Sequence, residues 1–495
     1  VTTGTANTLI GRNSGDALTD ADYNVAVGEQ ALSSDTLGSR SIAIGHAALF
    51  AQNFTTATNS YNTAVGYSAG TAVTTGIRNT LIGGLAGDAL TDADFNVAIG
   101  SHALTHDTKG SKSIAIGHSA LENQNFTTAT DAYNTAVGQS AGAAVTTGVR
   151  NTLIGGLAGD ALTSSNENVA VGYNALTAAT TGDANTAIGS FSLQTNILSD
   201  RNVALGHSAL ATHNQATRVD SYNTAVGFFA GEKVTTGIEN TLIGGLAGDA
   251  LTDADKNVAV GRGAIGSDTL GSRSVAVGFQ ALGDQNFTTA TDTYNVGVGY
   301  EAGASVTTGQ NNTLIGGQAG DAITAANDNV AVGVGSLTTN TLSSENVAIG
   351  RSALQELNHT TATDGFNVAV GSDAGKLVTT GIDNSFIGAR SGQASTSGNY
   401  NTAVGSLALA TDKIGHNSTA IGYFALANQN NITSTNAYNT AVGSQEDRKS
   451  TRLNSSHCYT SYAVFCLKKK TTTYTSIHTF PLAASIPSAS QYNSY

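Results

Sequence analysis

Short runs in which polar and small apolar positions alternate, each closed by a glycine, recur along nearly the whole chain. Asn62-Thr63-Ala64-Val65-Gly66 is one; Asn134-Thr135-Ala136-Val137-Gly138 is another. Aligned on the closing glycine, from Gly11 to Gly443, there are 25 units; eighteen of the spacings between them are 17 residues and six are 21. The long spacings mostly return every 72 residues, and the block between Gly138 and Gly227 carries one extra short unit. Seventeen residues are too few for two packed helices, and the β-branched, glycine-closed phrase lacks strong helix formers. Each unit therefore predicts one short strand, and the chain a β-solenoid in which every unit is a coil bonded to the coils before and after it.

Side chains alternate along a strand, so Thr63 and Val65 share one face and Ala64 takes the other. Neither face carries charge, which predicts a filled coil interior on one side and a second packed layer on the other. Ala64, Ala136 and Ala225, small and pointing away from Val65, Val137 and Val226, are expected to form that second contact, between chains. Position one is Asn in 21 units and Ser in four (Ser41, Ser113, Ser274, Ser418). Asn suits a stacked ladder at a coil corner. The closing glycine permits a bend that a Cβ would obstruct. Three residues later every complete unit has Ala or Ser, as at Ala69, Ala141 and Ser192, which predicts a second short strand with small inward residues.

Composition sharpens this picture. The 495 residues include 58 Gly, no Met and no Trp, and only 12% are charged, so a thick core is not expected. Residues 1–445 hold 16 Lys and Arg against 33 Asp and Glu, a net charge of −17, which argues against nucleic acid as a partner. Both Cys (Cys458, Cys466) and both Pro (Pro481, Pro487) lie beyond residue 445. A thiol-free repeat suits an oxidising exterior. No run approaches the roughly 18 apolar residues of a membrane helix.

The phrases "SIAIGHSAL" and "NVAVGYNAL" resemble the head repeats of trimeric autotransporter adhesins, the YadA-like family, over residues 1–445. The "TTG" linkers, as in "AVTTGIRNTLIGGLAG", are similar to repeats of phage and virus tail-fibre proteins. The resemblance implies a left-handed parallel β-roll, three chains side by side, and an extracellular attachment fibre anchored by segments outside this chain, with a tail-fibre shaft as the alternative. A β-solenoid carbohydrate-active enzyme is the remote third reading. The 72-residue super-period and the regular Thr at position two depart from the usual adhesin head. From Glu446 the pattern stops, and "EDRKSTRLNSSHCYTSYAVFCLKKK" resembles the translation of a sequencing adapter. Residues 446–495 are therefore expected to be a disordered, non-biological tail, and the chain a fragment of a longer protein.

Candidate chemistry is thin. "IGGLAGD" lacks the G-K-[ST] of a phosphate loop. His46, His118 and His207 share the position after the glycine with Phe279, Arg351 and Tyr423, so that place is not a ligand position. Asp16, Asp20 and Asp22 recur as Asp88, Asp92 and Asp94 and as Asp249, Asp253 and Asp255, but the unit at Asp160 loses the later acids, which favours a solvated acidic turn over a calcium site. Paired carboxylates for glycosidic cleavage call for one singular constellation, and only repeated ones occur. No catalytic residue, metal or cofactor is expected.

The six long units carry the one periodic outgrowth, "NQNFTTATDAYN" and its relatives. Phe54, Phe126 and Phe287 are expected at its tip, with His359 and Ile432 in equivalent places. Tyr61, Tyr133, Tyr222, Tyr294, Phe366 and Tyr438 close it, and Asn53, Asn125, Asn286, Asn358 and Asn431 begin N-x-[ST] sequons. Two readings stand: a row of ledges touching a host-surface receptor or glycan, or a wider turn with Tyr stacked beneath it.

Overall fold

The computed structural model describes residues 1–445; the expected disordered tail at 446–495 lies outside them. The described residues form a parallel β-solenoid without a helix. Its main sheet has 25 three-residue strands, one per coil, from Thr8–Ile10 to Thr440–Val442. Parallel neighbours need a crossover, and here the rest of each coil is that crossover. Like positions stack on like: Thr63 on Thr80, Ala64 on Leu81, Val65 on Ile82. At one strand spacing per coil the strands run for about 115 Å.

The long coils take up their four extra residues beside a second, two-residue pairing, as between Gly38–Ser39 and Thr58–Asn59. Five long coils have it. In the sixth it shrinks to a single bridge between Asp200 and Asp220.

The second strand expected after each glycine does not form. Those residues run as turns in which left-handed residues alternate with ordinary ones, as at Ser68 (φ 53°) and Gly70 (φ 59°). Their N–H groups still bond across coils, Ser68 to the His46 carbonyl behind (2.9 Å) and Gly70 to the Ala86 carbonyl ahead (3.0 Å). A left-handed residue costs roughly 1–2 kcal/mol, and a cross-coil bond at each one offsets that cost. The small inward residues are as expected, since Ala69 and Ala141 are fully buried.

The closing glycine has a stricter reason than a bend. Gly66 sits at φ 146°, and a Cβ there would lie 2.3 Å from the carbonyl oxygen of Gly83, its counterpart one coil on. Stacked coils approach too closely for any side chain at that corner.

The interior obeys a volume rule between two positions. Where position three is Ala, the residue four after the glycine is usually Leu, as in Ala26 with Leu32 and Ala43 with Leu49. Where position three is Leu, that place is Gly in the same coil and in the coil before. A Cβ on Gly87 would meet Leu81 Cδ2 at 2.8 Å, and one on Gly70 would meet Leu81 Cδ1 at 2.6 Å. Leu153 stands in the same relation to Gly142 and Gly159, and Phe386, the largest fully buried side chain, to Gly375 and Gly392. The thin core is thus filled by large side chains offered from either of two sides, and a coil with Ala and Gly at both places, such as that of Ala64 and Gly70, is filled by Leu49 and Leu81 of its neighbours.

One assignment of faces is corrected. Ala64, Ala136 and Ala225 are fully buried inside their own coils, while Val65 and Val137 lie half-exposed on the outer face. The coil is narrow, and only a small side chain fits inward opposite Leu. Position three therefore cannot be a contact between chains, and positions two and four carry the outer face of the strand.

Candidate binding surfaces

The corner asparagines are structural. Asn62 Oδ1 accepts from the backbone N–H of Asn79 (2.9 Å), and Asn62 Nδ2 donates to the Gly76 carbonyl (2.7 Å). Asn134 repeats both bonds with Asn151 and Gly148. Each amide thus satisfies a buried donor and a buried acceptor on the coil ahead.

The four serines mark a second device. Gln52 Nε2 donates to Asp35 Oδ2 (2.7 Å) and Ser41 Oγ (2.9 Å), and its Oε1 accepts from Asn62 Nδ2 (2.8 Å). Asp35 Oδ1 accepts from the N–H groups of Gly38 (3.0 Å) and Phe54 (3.2 Å). Burial pushes the Asp35 carboxyl up from its ordinary value, against these hydrogen bonds. The same group recurs around Gln124, Gln285 and Gln429. Serine is too short to continue the ladder across a long coil, and the Gln amide stands in for the missing Asn. In the other two long coils Asn202 and Asn346 keep the ladder, reaching Asn223 and Asn367 directly, and the Gln place holds His213 or Leu357. The co-occurrence of Asp, Ser and Gln at fixed offsets in the sequence was the signal that sequence reasoning passed over.

The outgrowth is not tipped by aromatic rings. Phe54, Phe126 and Phe287 are only 5–6% exposed, turned inward so that Phe54 covers Gly38, where a Cβ would come within 2.7 Å of its ring. His359 is buried in the same place, with Nε2 3.2 Å from the Thr380 carbonyl oxygen. Ile432, 80% exposed, is not equivalent to Phe54: Asn431 is, because its N–H reaches Asp412 Oδ1 (2.9 Å) as that of Phe54 reaches Asp35. What the outgrowth shows to solvent is Thr55, Thr56 and Ala57. The closing Tyr61 is exposed and carries Arg40 over its ring, 5.8 Å from the centroid.

The acidic turns have a structural use. Asp22 Oδ1 accepts from the backbone N–H of Thr5 (2.6 Å), chiefly a bond that holds its carboxyl below the usual range. Asp94 serves Ile77, and Asp255 serves Ile238, in the same way. Asn166 does this for Val149 where the acid is replaced. Among the described residues no three His, Cys, Asp or Glu gather in a metal-holding group. The residues after the glycine form an exposed row: His46 stacks on Tyr67 at 5.3 Å, His207 on Phe228 at 5.5 Å, and Phe279 on Tyr300 at 5.5 Å.

A further column lies one residue before the corner Asn. Every residue there in coils two to nine is left-handed, and all but Tyr61 and Tyr133 are held by a backbone bond such as Arg78 N–H to the Ser60 carbonyl (2.7 Å). Along it aromatic residues (Tyr23, Tyr61, Phe95, Tyr133) alternate with cations (Arg40, Arg78, Lys112, Arg150). Arg40 lies 5.0 Å from the Tyr23 ring, Arg78 5.1 Å from Phe95, and Lys112 Nζ 5.0 Å from Tyr133.

Beside this column runs the outer face of the main sheet. Its side chains at positions two and four, all Thr, Val or Ile but for Leu205 and Ser385, are partly exposed along the inner strands and more so at the two ends, with Ile82, Ile154, Ile243 and Ile315 each near 38%. No family model matches the chain, and no curated protein is found to be similar to it.

Proposed function

We propose that residues 1–445 are the rod of an extracellular, homotrimeric attachment fibre of the adhesin head or stalk type. The observation that carries this reading is the outer sheet face. A monomeric soluble protein rarely exposes an apolar patch beyond a few hundred Å², and here β-branched side chains continue unbroken from strand to strand. A specific complex buries about 800 Å² per partner, which a run of roughly ten such strands supplies. Further copies of the same chain match that face in length and period, and closed symmetry lets each cover another. The resemblance to YadA-like head repeats points the same way.

The test is mass per length of the full chain by scanning transmission electron microscopy. Rods holding three chains per coil spacing are expected; single-chain rods would remove the trimer. Beads coated with the rods should adhere to cell layers. Trimeric rods that confer no adhesion would leave a structural shaft and remove attachment.

A further inference from the structure

We infer that the column from Tyr23 to Arg150 binds a linear acidic polysaccharide whose sugars alternate between an uncharged residue and a uronate. Coils lie about 4.8 Å apart, so aromatic faces and cations each repeat at about twice that distance. Two pyranoses in extended linkage span a similar length. An aromatic face takes the apolar side of a sugar ring, and a guanidinium takes a carboxylate through two parallel N–H bonds. The alternation therefore matches a disaccharide repeat in both spacing and chemistry, over eight consecutive coils.

Three features make this a built surface. Six of the eight residues, all but Tyr61 and Tyr133, donate their N–H to a carbonyl of the coil behind and are fixed by it in the left-handed conformation, so little order has to be gained there on binding. The aromatic rings are about half-exposed, 43–55%, in spite of the apolar area that costs. Among the described residues Arg40 and Arg78 make no ion pair with a carboxylate within 4.0 Å: Arg40 Nε donates to Asn59 Oδ1 (3.0 Å), and the Asp22 carboxylate is near enough to feel its charge without pairing with it. Lys112 and Arg150 at the far end are paired, with Asp131 and Glu167, so the first half of the column, with Arg40 and Arg78, is its strongest part. The net charge of −17 over residues 1–445 repels any polyanion at a distance, and it repels duplex DNA, with a phosphate about every 3.4 Å along a strand, more than a polymer with one carboxylate per disaccharide. The column lies within one chain, so the inference does not rest on the trimer.

The experiment is binding of the full chain to an unsulfated polysaccharide of alternating uronate and N-acetylhexosamine, compared with its carboxyl-reduced form and with duplex DNA. Binding to the acidic polymer alone is expected. Arg40→Gln with Arg78→Gln should weaken it by about tenfold or more, and Phe95→Ala should weaken it without changing its salt dependence. Arg262→Gln, outside the column, should leave it unchanged. Circular dichroism confirms that each variant is folded. No binding, equal binding of the carboxyl-reduced polymer, stronger binding of DNA, or indifference to the paired Arg substitutions would each overturn the inference. So would loss of self-association in the paired Arg variant with polysaccharide binding intact, since the column would then be a contact between chains. A monomer that binds supports this inference and removes the trimer; a trimer that does not bind does the reverse.

Discussion

The inner and outer layers of the coil are built from the same five-residue phrase and follow opposite rules. Inside, Ala136, Leu153 and Asn134 are fully buried, and each choice forces another: Leu153 requires Gly142 and Gly159, and Asn134 requires a donor and an acceptor on the next coil. Outside, position two accepts Thr, Val, Ile or Ser, and the column before the Asn accepts Tyr, Arg, Glu or Ala without change of backbone. Constraint inside makes the repeat; freedom outside leaves room for recognition. The two layers should therefore respond differently to substitution.

The largest effect is expected from a charge placed inside. Ala136→Asp buries a carboxylate in a coil with no room for a counter-ion, which should cost several kcal/mol. It should open the coils around residue 136, read as lost hydrogen-exchange protection there, because neighbouring coils support one another in a solenoid. Protection unchanged from the parent would mean that position three is not interior.

Next comes volume. Leu153→Ala should cost about 2–5 kcal/mol through the cavity it leaves, seen as a lower thermal midpoint. Gly159→Ala should be damaging as well, since at φ 58° its Cβ would lie 2.7 Å from Leu162 Cδ1 and 2.8 Å from Leu153 Cδ2. If Leu153→Ala relieves part of the damage from Gly159→Ala, the two positions are coupled as the volume rule requires; simple additivity of the two losses would refute it.

A smaller, pH-dependent effect sets one long coil against the others. His213 occupies the Gln52 place, and burial pushes its imidazole from 6.5 down to about 4. The unfolded ring binds a proton more readily than the folded one, so stability is full above about pH 6.5 and is lost as pH falls towards 4, by about 3 kcal/mol at most. The coils around Gln52 have no such titrating ring. Hydrogen exchange at pH 7 and pH 4.5 should show selective opening near residue 213, abolished by His213→Leu, the residue type that Leu357 provides in the sister coil. Equal opening in the coils of His213 and Leu357 would contradict this.

Much of the fold was legible because period alone fixes it. A 17-residue return of Asn, Ala or Leu, and Gly leaves one way to stack like on like. Three things were not legible. Whether Ala64 or Val65 faced inward could not be read from alternation, since both sides are apolar and only the coil's narrow width decides. The second strand was expected because Ala69 is small and inward, yet alternating left-handed residues achieve the same inward placement, and Leu32 and Leu49 occupy them without the glycine that usually betrays the conformation. Phe54 was placed at a tip because it follows polar residues in a long unit; Asp35, nineteen residues earlier, draws its N–H inward, and that partner is visible only in three dimensions.

A single chain completes the inner layer, and the outer sheet face is proposed as the place where chains meet. Sedimentation equilibrium of the full chain and of Val137→Asp with Ile154→Asp, two outer-face positions, tests it most directly. A trimer is expected for the parent, and for the double variant a monomer whose thermal midpoint, measured as that monomer, still shows folded coils. A monomeric parent, or a variant that remains trimeric, would contradict it.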